Sequence, residues 1–150
     1  MRKSKRRWLQ TIEDTDNQVS AYSNYLLRHA LLPELLGEEE EAVLYWAGKA
    51  IARKVAEVEP EELPFFFEKA NWGSLQLVKE KGTEKHYELT APFMHQDRPF
   101  TLESGFLSQW TENQTGFTTE ANCEVIKKKP CICRIIVRWD PKDPVPHKKE

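Results

Sequence analysis

Long apolar runs are missing from this 150-residue chain. Its longest stretch without a charge, Asn17 to Leu27, is eleven residues, against the ~18 or more that a membrane helix needs. Glycine is scarce. The six glycines (37, 48, 73, 82, 105 and 116) build neither common phosphate-cradling loop. No G-x-S-x-G elbow is present. The four histidines, at 29, 86, 95 and 147, never fall four apart, and no Glu-flanked pair suggests a hydrolytic zinc site. Cysteine is limited to Cys123, Cys131 and Cys133, an odd set within eleven residues, which argues against a secreted disulfide framework. A strong excess of either charge is also absent. With a net charge of −2 and a pI near 6.1, the chain does not read as a whole-domain nucleic-acid binder.

The N-terminus Met1-Arg2-Lys3-Ser4-Lys5-Arg6-Arg7-Trp8-Leu9 has the charge of a signal peptide's first region. No apolar stretch follows it, and Arg at position 2 excludes a myristoylation signal. A cytoplasmic protein with reduced thiols is the expectation, so the sequon Asn113-Gln114-Thr115 carries no weight. No specific nucleic-acid partner is expected.

Aromatics are plentiful. Five Trp, four Tyr and seven Phe supply enough buried area for one core. Charge is unevenly laid out: residues 1 to 7 carry +5, residues 34 to 62 sum to −6, and residues 127 to 150 sum to +5. This divides the chain into a basic flexible arm (1–15), a single domain (16–140) and a Pro/Lys-rich tail (141–150). The arm's Arg2, Lys3, Lys5, Arg6 and Arg7 are the one route to a membrane surface, and no second anchoring signal supports it.

Helix signals open at Asp16 or Asn17, with Val19, Tyr22, Leu26, His29 and Ala30 at helical spacing. Pro33 should kink or end that helix, and Gly37 suits its C′ position. A second helix begins among Glu38 to Glu41. Its stripe is Leu44, Ala47, Gly48, Ile51 and Val55, widened by Val43, Trp46 and Ala50, with Lys49 and Arg53 on the wet side. Pro60 starts a short third helix through Leu63-Pro64-Phe65-Phe66-Phe67. Strands are expected over 74–80, 85–91, 117–126 and 131–139, with a helix from Thr101 between the second and third. The order αα(α)ββαββ makes an α+β domain, helices packed on one face of a four-stranded antiparallel sheet.

The cysteines are the sharpest local signal. Phe117, Thr119, Ala121, Cys123 and Val125 share one strand face; Cys131, Cys133, Ile135, Val137 and Trp139 share another. If both apolar faces point inward, a three-residue loop at Lys127-Lys128-Lys129 sets Cys123 opposite Cys133. Inert core packing is the preferred reading. A soft metal site lacks the usual Cys-x-x-Cys spacing, and a modifiable thiol lining a pocket is the remaining alternative. Among the carboxylates only Glu103 stands in an apolar setting, where a helix-dipole or capping role outweighs that of a general acid.

Several blocks together resemble the YslB-like proteins of Gram-positive bacteria. They are Leu32-Pro33-Glu34-Leu35-Leu36-Gly37, Tyr45-Trp46-Ala47-Gly48-Lys49 with Ala52-Arg53-Lys54, Phe66-Phe67-Glu68-Lys69-Ala70-Asn71-Trp72-Gly73, Leu102-Glu103-Ser104-Gly105-Phe106, and Val137-Arg138-Trp139-Asp140-Pro141-Lys142-Asp143-Pro144. That family, of unknown function, resembles in fold the ligand-binding domain of TRAPP vesicle-tethering subunits, 4-vinyl-reductase-type proteins and haem nitric-oxide sensors. The resemblance implies helices on a four-stranded sheet, frequent dimerisation and, in several cases, an apolar or tetrapyrrole ligand. No position here matches a haem-ligating histidine motif, so no cofactor is assigned.

The leading expectation is a binding domain with a small apolar ligand between sheet and helices. Trp46, Trp72, Phe106 and Trp110 are its expected aromatic lining. Gly105 would allow a close approach, and Cys123 and Cys133 would form the sheet wall. The alternative is a homodimeric protein–protein adaptor with a filled core. An enzyme ranks third, since no catalytic constellation is visible. A homodimer that buries helix surface is expected in either case, because the first two helices carry more apolar stripe than one small sheet can cover.

Overall fold

The computed structural model describes Trp8, residues 20–92 and residues 98–146. Helix α1 starts at Ser20, whose hydroxyl accepts the Ser23 amide at 3.2 Å. It is α-helical over Ala21–Tyr25, π-helical over Leu26–Leu31 and α-helical again over Leu32–Leu36. The expected start at Asp16 or Asn17 and the basic residues 1–7 lie outside the described residues.

Pro33 does not end the helix. Its missing amide and bulky ring conflict with the carbonyl four residues back, and the wide π turn before it removes that conflict. Gly37 then closes α1 at φ 55°, as its C′ position requires.

Helix α2 covers Glu40–Lys54, with Glu40 and Glu41 in its first turn and Arg53 and Lys54 in its last. A 3-10 turn at Pro60–Glu62, closed by reciprocal bonds between Glu59 and Glu62, leads into α3, Leu63–Lys69. Strands β1 (Ser74–Lys81) and β2 (Glu84–Thr90) form a hairpin, α4 spans Thr101–Thr115, and β3 (Phe117–Lys128) and β4 (Cys131–Pro144) form a second. Sheet order is β1-β2-β4-β3, all antiparallel, which brings β4 into the centre. Helices cover one face. Glu84, Glu88, Arg134 and Arg138 pair across the other, which is wet.

Two glycines set the depth of the helix layer. A Cβ on Gly48 would lie 2.0 Å from the Leu102 carbonyl oxygen, and one on Gly105 would lie 2.0 Å from that of Tyr45. Thus α2 and α4 meet backbone to backbone. Residues 102 to 111 of α4 are buried without interruption, between α2 and the sheet.

This contact keeps the expected stripe of α2, with Ala47, Ile51 and Val55 packed on the core, but corrects its edges. Its buried residues are Leu44, Gly48, Lys49 and Ala52. At 3.6 residues per turn Trp46 lies roughly 160° around the helix from Gly48. It is 62% exposed, and Val43 is also exposed. Lys49, expected on the wet side, is instead buried, with its ammonium 3.3 Å from Ser108 Oγ. With Gly48 turned onto α4, Trp46 on the opposite side of the helix faces outward.

Three further expectations change. The β3–β4 register pairs Cys123 with Ile135 and Val125 with Cys133, two residues from the expected alignment. A bulge between Val125 and Lys127, with the turn at Lys129-Pro130, replaces the three-lysine loop. The shift is even, so both cysteines keep the inner face. Strand β4 continues through Pro141 to Pro144, into the expected tail, and Phe117 lies opposite Pro144. Proline is tolerated there because β2 pairing stops at Arg138, which leaves that side of β4 as an edge. Lastly, Trp8, within the expected flexible arm, is 5% exposed and packs on Phe65 and Phe66 at 5.9 and 5.3 Å.

Ala is a better helix former than Gly by ~1 kcal/mol, yet Gly48→Ala and Gly105→Ala should each lose about 3 kcal/mol, since the added methyl meets backbone. Trp46→Ala should lose less than ~1 kcal/mol in the monomer. Urea unfolding of the three variants, followed by circular dichroism, checks this ordering.

Candidate functional site

The expected site residues separate into three places. Trp72 and Phe106 belong to an aromatic cluster with Phe66 and Phe67. Phe66 stacks on Phe106 at 4.9 Å, while Phe67 meets Trp72 edge-on at 5.0 Å. Rings at these distances fill the space between α3 and α4. Gly105 faces α2, so its close neighbour is backbone. Trp46 belongs to none of these places; it is on the surface.

Trp110 lies elsewhere along α4. Its indole N–H donates to the Val58 carbonyl at 2.8 Å. Its ring helps form a partly open cleft of about 90 Å³ between α3 and the sheet. Pro60, Leu63 and Pro64 form one wall, and Leu75, Leu77, Lys85 and Tyr87 form the other. The Lys85 ammonium stands 6.0 Å from the Trp110 ring, within cation–π range. Burial pushes the Tyr87 phenol well above its ordinary range, so it stays a neutral O–H. This cleft is an apolar slot with one cation at its side.

Cys123 and Cys133 occupy the third place, beneath the first turn of α4. They are diagonal neighbours on the inner face, and the Cys133 thiol donates to the Arg134 carbonyl at 3.8 Å. Ser104, in the first turn of α4, donates its hydroxyl to the Phe100 carbonyl at 2.8 Å. Cys133 is fully buried, while Cys123 is partly exposed.

Beside the thiols is a cluster that sequence reasoning did not assemble. Glu103 has no exposed surface and sits between two guanidiniums, Arg28 at 3.0 Å and Arg98 at 3.0 Å. Arg28 comes from the π-helical part of α1 and also donates to the Pro99 carbonyl at 3.2 Å. Arg98 donates to the Trp72 carbonyl at 2.9 Å and lies over the Phe100 ring at 4.8 Å.

Among the described residues, two buried cations meet one carboxylate, and Nε of Arg28 and Nε and Nη1 of Arg98 have no hydrogen-bond partner. Burial lowers the Arg98 guanidinium to about 10, opposed by its attraction to Glu103. Glu103 was visible in the sequence as a carboxylate in an apolar setting. Nothing local marked its partners, which are 75 and 5 residues away in the chain.

Among the described residues, no group of three or more His, Cys, Asp or Glu is placed to hold a metal ion. No described helix is long and apolar enough to cross a membrane.

The fold is shared with solved structures. A vinyl-4-reductase family protein from Methanocaldococcus jannaschii superposes with a TM-score of 0.63 at 18% identity, covering 87% of each chain. The phenol-responsive sensory domain of the transcription activator PoxR, solved with phenol, superposes with a TM-score of 0.57 at 13% identity, covering 81% of this chain and 75% of that one. At these identities the likeness is one of fold.

Sequence places the chain more narrowly. It belongs to the DUF2507 family, described as proteins of unknown function, whose model matches residues 21–138. It is 38% identical over 134 residues to the protein YslB of Bacillus subtilis (strain 168), covering 85% of this chain and 90% of that one.

Removing the carboxylate from the triad strands two buried guanidiniums. Glu103→Gln should therefore cost about 3–5 kcal/mol, as breaking a buried ion cluster does. Glu88→Gln, on the wet sheet face, should cost less than about 1 kcal/mol. Chemical denaturation of both variants against the wild type measures the contrast.

Proposed function

We propose that this chain is a cytoplasmic, non-catalytic binding domain that acts as a homodimer and takes a small, largely apolar ligand in the Trp110 cleft. The cleft carries this reading. Aromatic and aliphatic walls, one buried phenol and one cation form the mixture typical of small-molecule sites, apolar with few polar groups. Its volume of about 90 Å³ suits a ligand of a few heavy atoms, well below a drug-sized pocket of ~300 Å³. The fold is shared with a domain described as phenol-responsive, which makes a single-ring aromatic the first class to test.

Self-association has separate support. Tyr22, Leu27, Leu31 and Leu35 on α1, with Val43 and Trp46 on α2, are all exposed apolar side chains. A shallow groove along α1 is lined by Ser23, Asn24, Leu26, Leu27 and Leu31. Exposed apolar side chains in this number support an interaction face. If the cleft proves empty, the same face and the filled aromatic cluster support the adaptor reading.

Two measurements bear on this. Light scattering should give the mass of a dimer at micromolar concentration, and Leu31→Glu should give a monomer that remains folded. Phenol and related single-ring compounds should raise the melting temperature in a dose-dependent way and quench tryptophan fluorescence. Leu77→Trp, which fills the cleft from its exposed rim, should abolish both responses. A panel without any response would remove the ligand and leave the adaptor.

A further inference from the structure

The cleft beside Trp110 contains a group that a purely apolar slot does not need, the ammonium of Lys85. Side chains of a strand alternate between faces, so the helix-covered face of β2 carries Lys85, Tyr87 and Leu89 in turn. Their partners on β4 are Val137, Ile135 and Cys133, none with any exposed surface. Lys85 thus ends a buried apolar row. It is not on the wet face, where Glu84 and Glu88 already pair with Arg138 and Arg134.

Its present contacts are loose. Glu80, opposite it on β1, is 3.9 Å away, a long contact for an ion pair, and the Glu80 side chain is 59% exposed. A pair so open to water contributes little. The Trp110 ring is at the far edge of cation–π range. The Lys85 side chain is itself only 20% exposed, so its stem lies on apolar neighbours while its charge serves the cleft. An anion carried in by an apolar body would meet this ammonium with less water around it than Glu80 does, and attraction strengthens as water is excluded.

We propose that the ligand of this cleft is a small monocarboxylate, its ring or short chain seated on Leu63, Leu75 and Trp110 and its carboxylate on the Lys85 ammonium. This rests on the cleft being a ligand site, and narrows the ligand from apolar compounds in general to those with one anionic end. The cleft's volume of about 90 Å³ limits the body to a single ring or a short chain. Tyr87 lines the same cleft, and burial, helped by Glu80, keeps its phenol protonated. It therefore adds no negative charge that would repel the ligand.

Benzoate and benzamide share a ring and a shape but differ in charge, so they are the probes, each titrated calorimetrically into the full chain at neutral pH and low salt. Benzoate should bind about tenfold more tightly than benzamide, as a hydrogen bond to a charged group provides. Lys85→Met keeps the apolar stem and removes the charge; it should bring the two to near-equal affinity by weakening benzoate alone. Added sodium chloride should likewise weaken benzoate and leave benzamide unchanged. Equal affinities in the wild type, or a benzoate preference that persists in Lys85→Met, would overturn the anion site and leave the cleft as a site for neutral ligands. Benzoate binding that survives Leu77→Trp would place it outside the cleft and overturn the proposal too. Binding of neither probe would remove the anion site and the cleft together. If Lys85→Met fails to fold, the wild-type ratio and its salt dependence decide.

Discussion

The backbone contact between α2 and α4 is the constraint from which the rest of the helix layer follows. With Gly48 over the Leu102 carbonyl and Gly105 over that of Tyr45, neither helix can rotate without placing a side chain where only hydrogen fits. The same approach leaves residues 102 to 111 of α4 with no wet face, so polar residues there seek partners inside the protein. Ser108 bonds the Thr119 carbonyl, Trp110 bonds that of Val58, and Glu103 takes two arginines. Tyr45 extends the contact to the sheet, where its hydroxyl accepts the Ala121 amide on strand β3.

Glu103 also explains the irregular parts of the fold. A carboxylate with no exposed surface requires cations, and the chain brings them from two distant segments. One comes from α1, where the π turn that relieves Pro33 also carries Arg28 inward. The other comes from the approach to α4, where Arg98 links Glu103 to the Trp72 carbonyl ahead of β1. A buried ion cluster of this kind adds little net stability compared with apolar packing. Its effect is positional: α1, the start of β1 and the first turn of α4 are tied to one side chain.

The two halves of α4 consequently face different chemistry. Its first turn is charged and lies over thiols. Its later turns are aromatic and lie over the apolar cleft with Tyr87 and Leu75. Phe106 separates them, held by Phe66, Phe67 and Trp72. The aromatic residues that sequence reasoning grouped as one pocket therefore do two jobs, because side chains four apart on a helix point the same way yet rest on different neighbours.

Local chemistry was enough to determine much of this protein from sequence. The start of each strand to within a residue, the shared face of Cys123 and Cys133, the Gly37 stop and the αα(α)ββαββ order are all legible, while the end of β4 at Pro144 is not. Each depends on residue spacing within a few positions, where the period of 2 or 3.6 is set by backbone geometry. The family resemblance was legible too, since its blocks stand in order along the chain. The cysteine register was not: parity fixes the face, while the bulge at residue 126 and the turn at Lys129-Pro130 fix which residues align. The stripe of α2 through Leu44, Ala47, Gly48, Ile51 and Val55 was legible, but not its edges: by hydrophobicity Trp46 belongs inside and Lys49 outside, and the close approach to α4 reverses both. The Arg28–Glu103–Arg98 cluster depended most on tertiary structure, because a buried charge is tolerable only when its partners arrive, and their arrival from separate elements leaves no periodic trace in the chain.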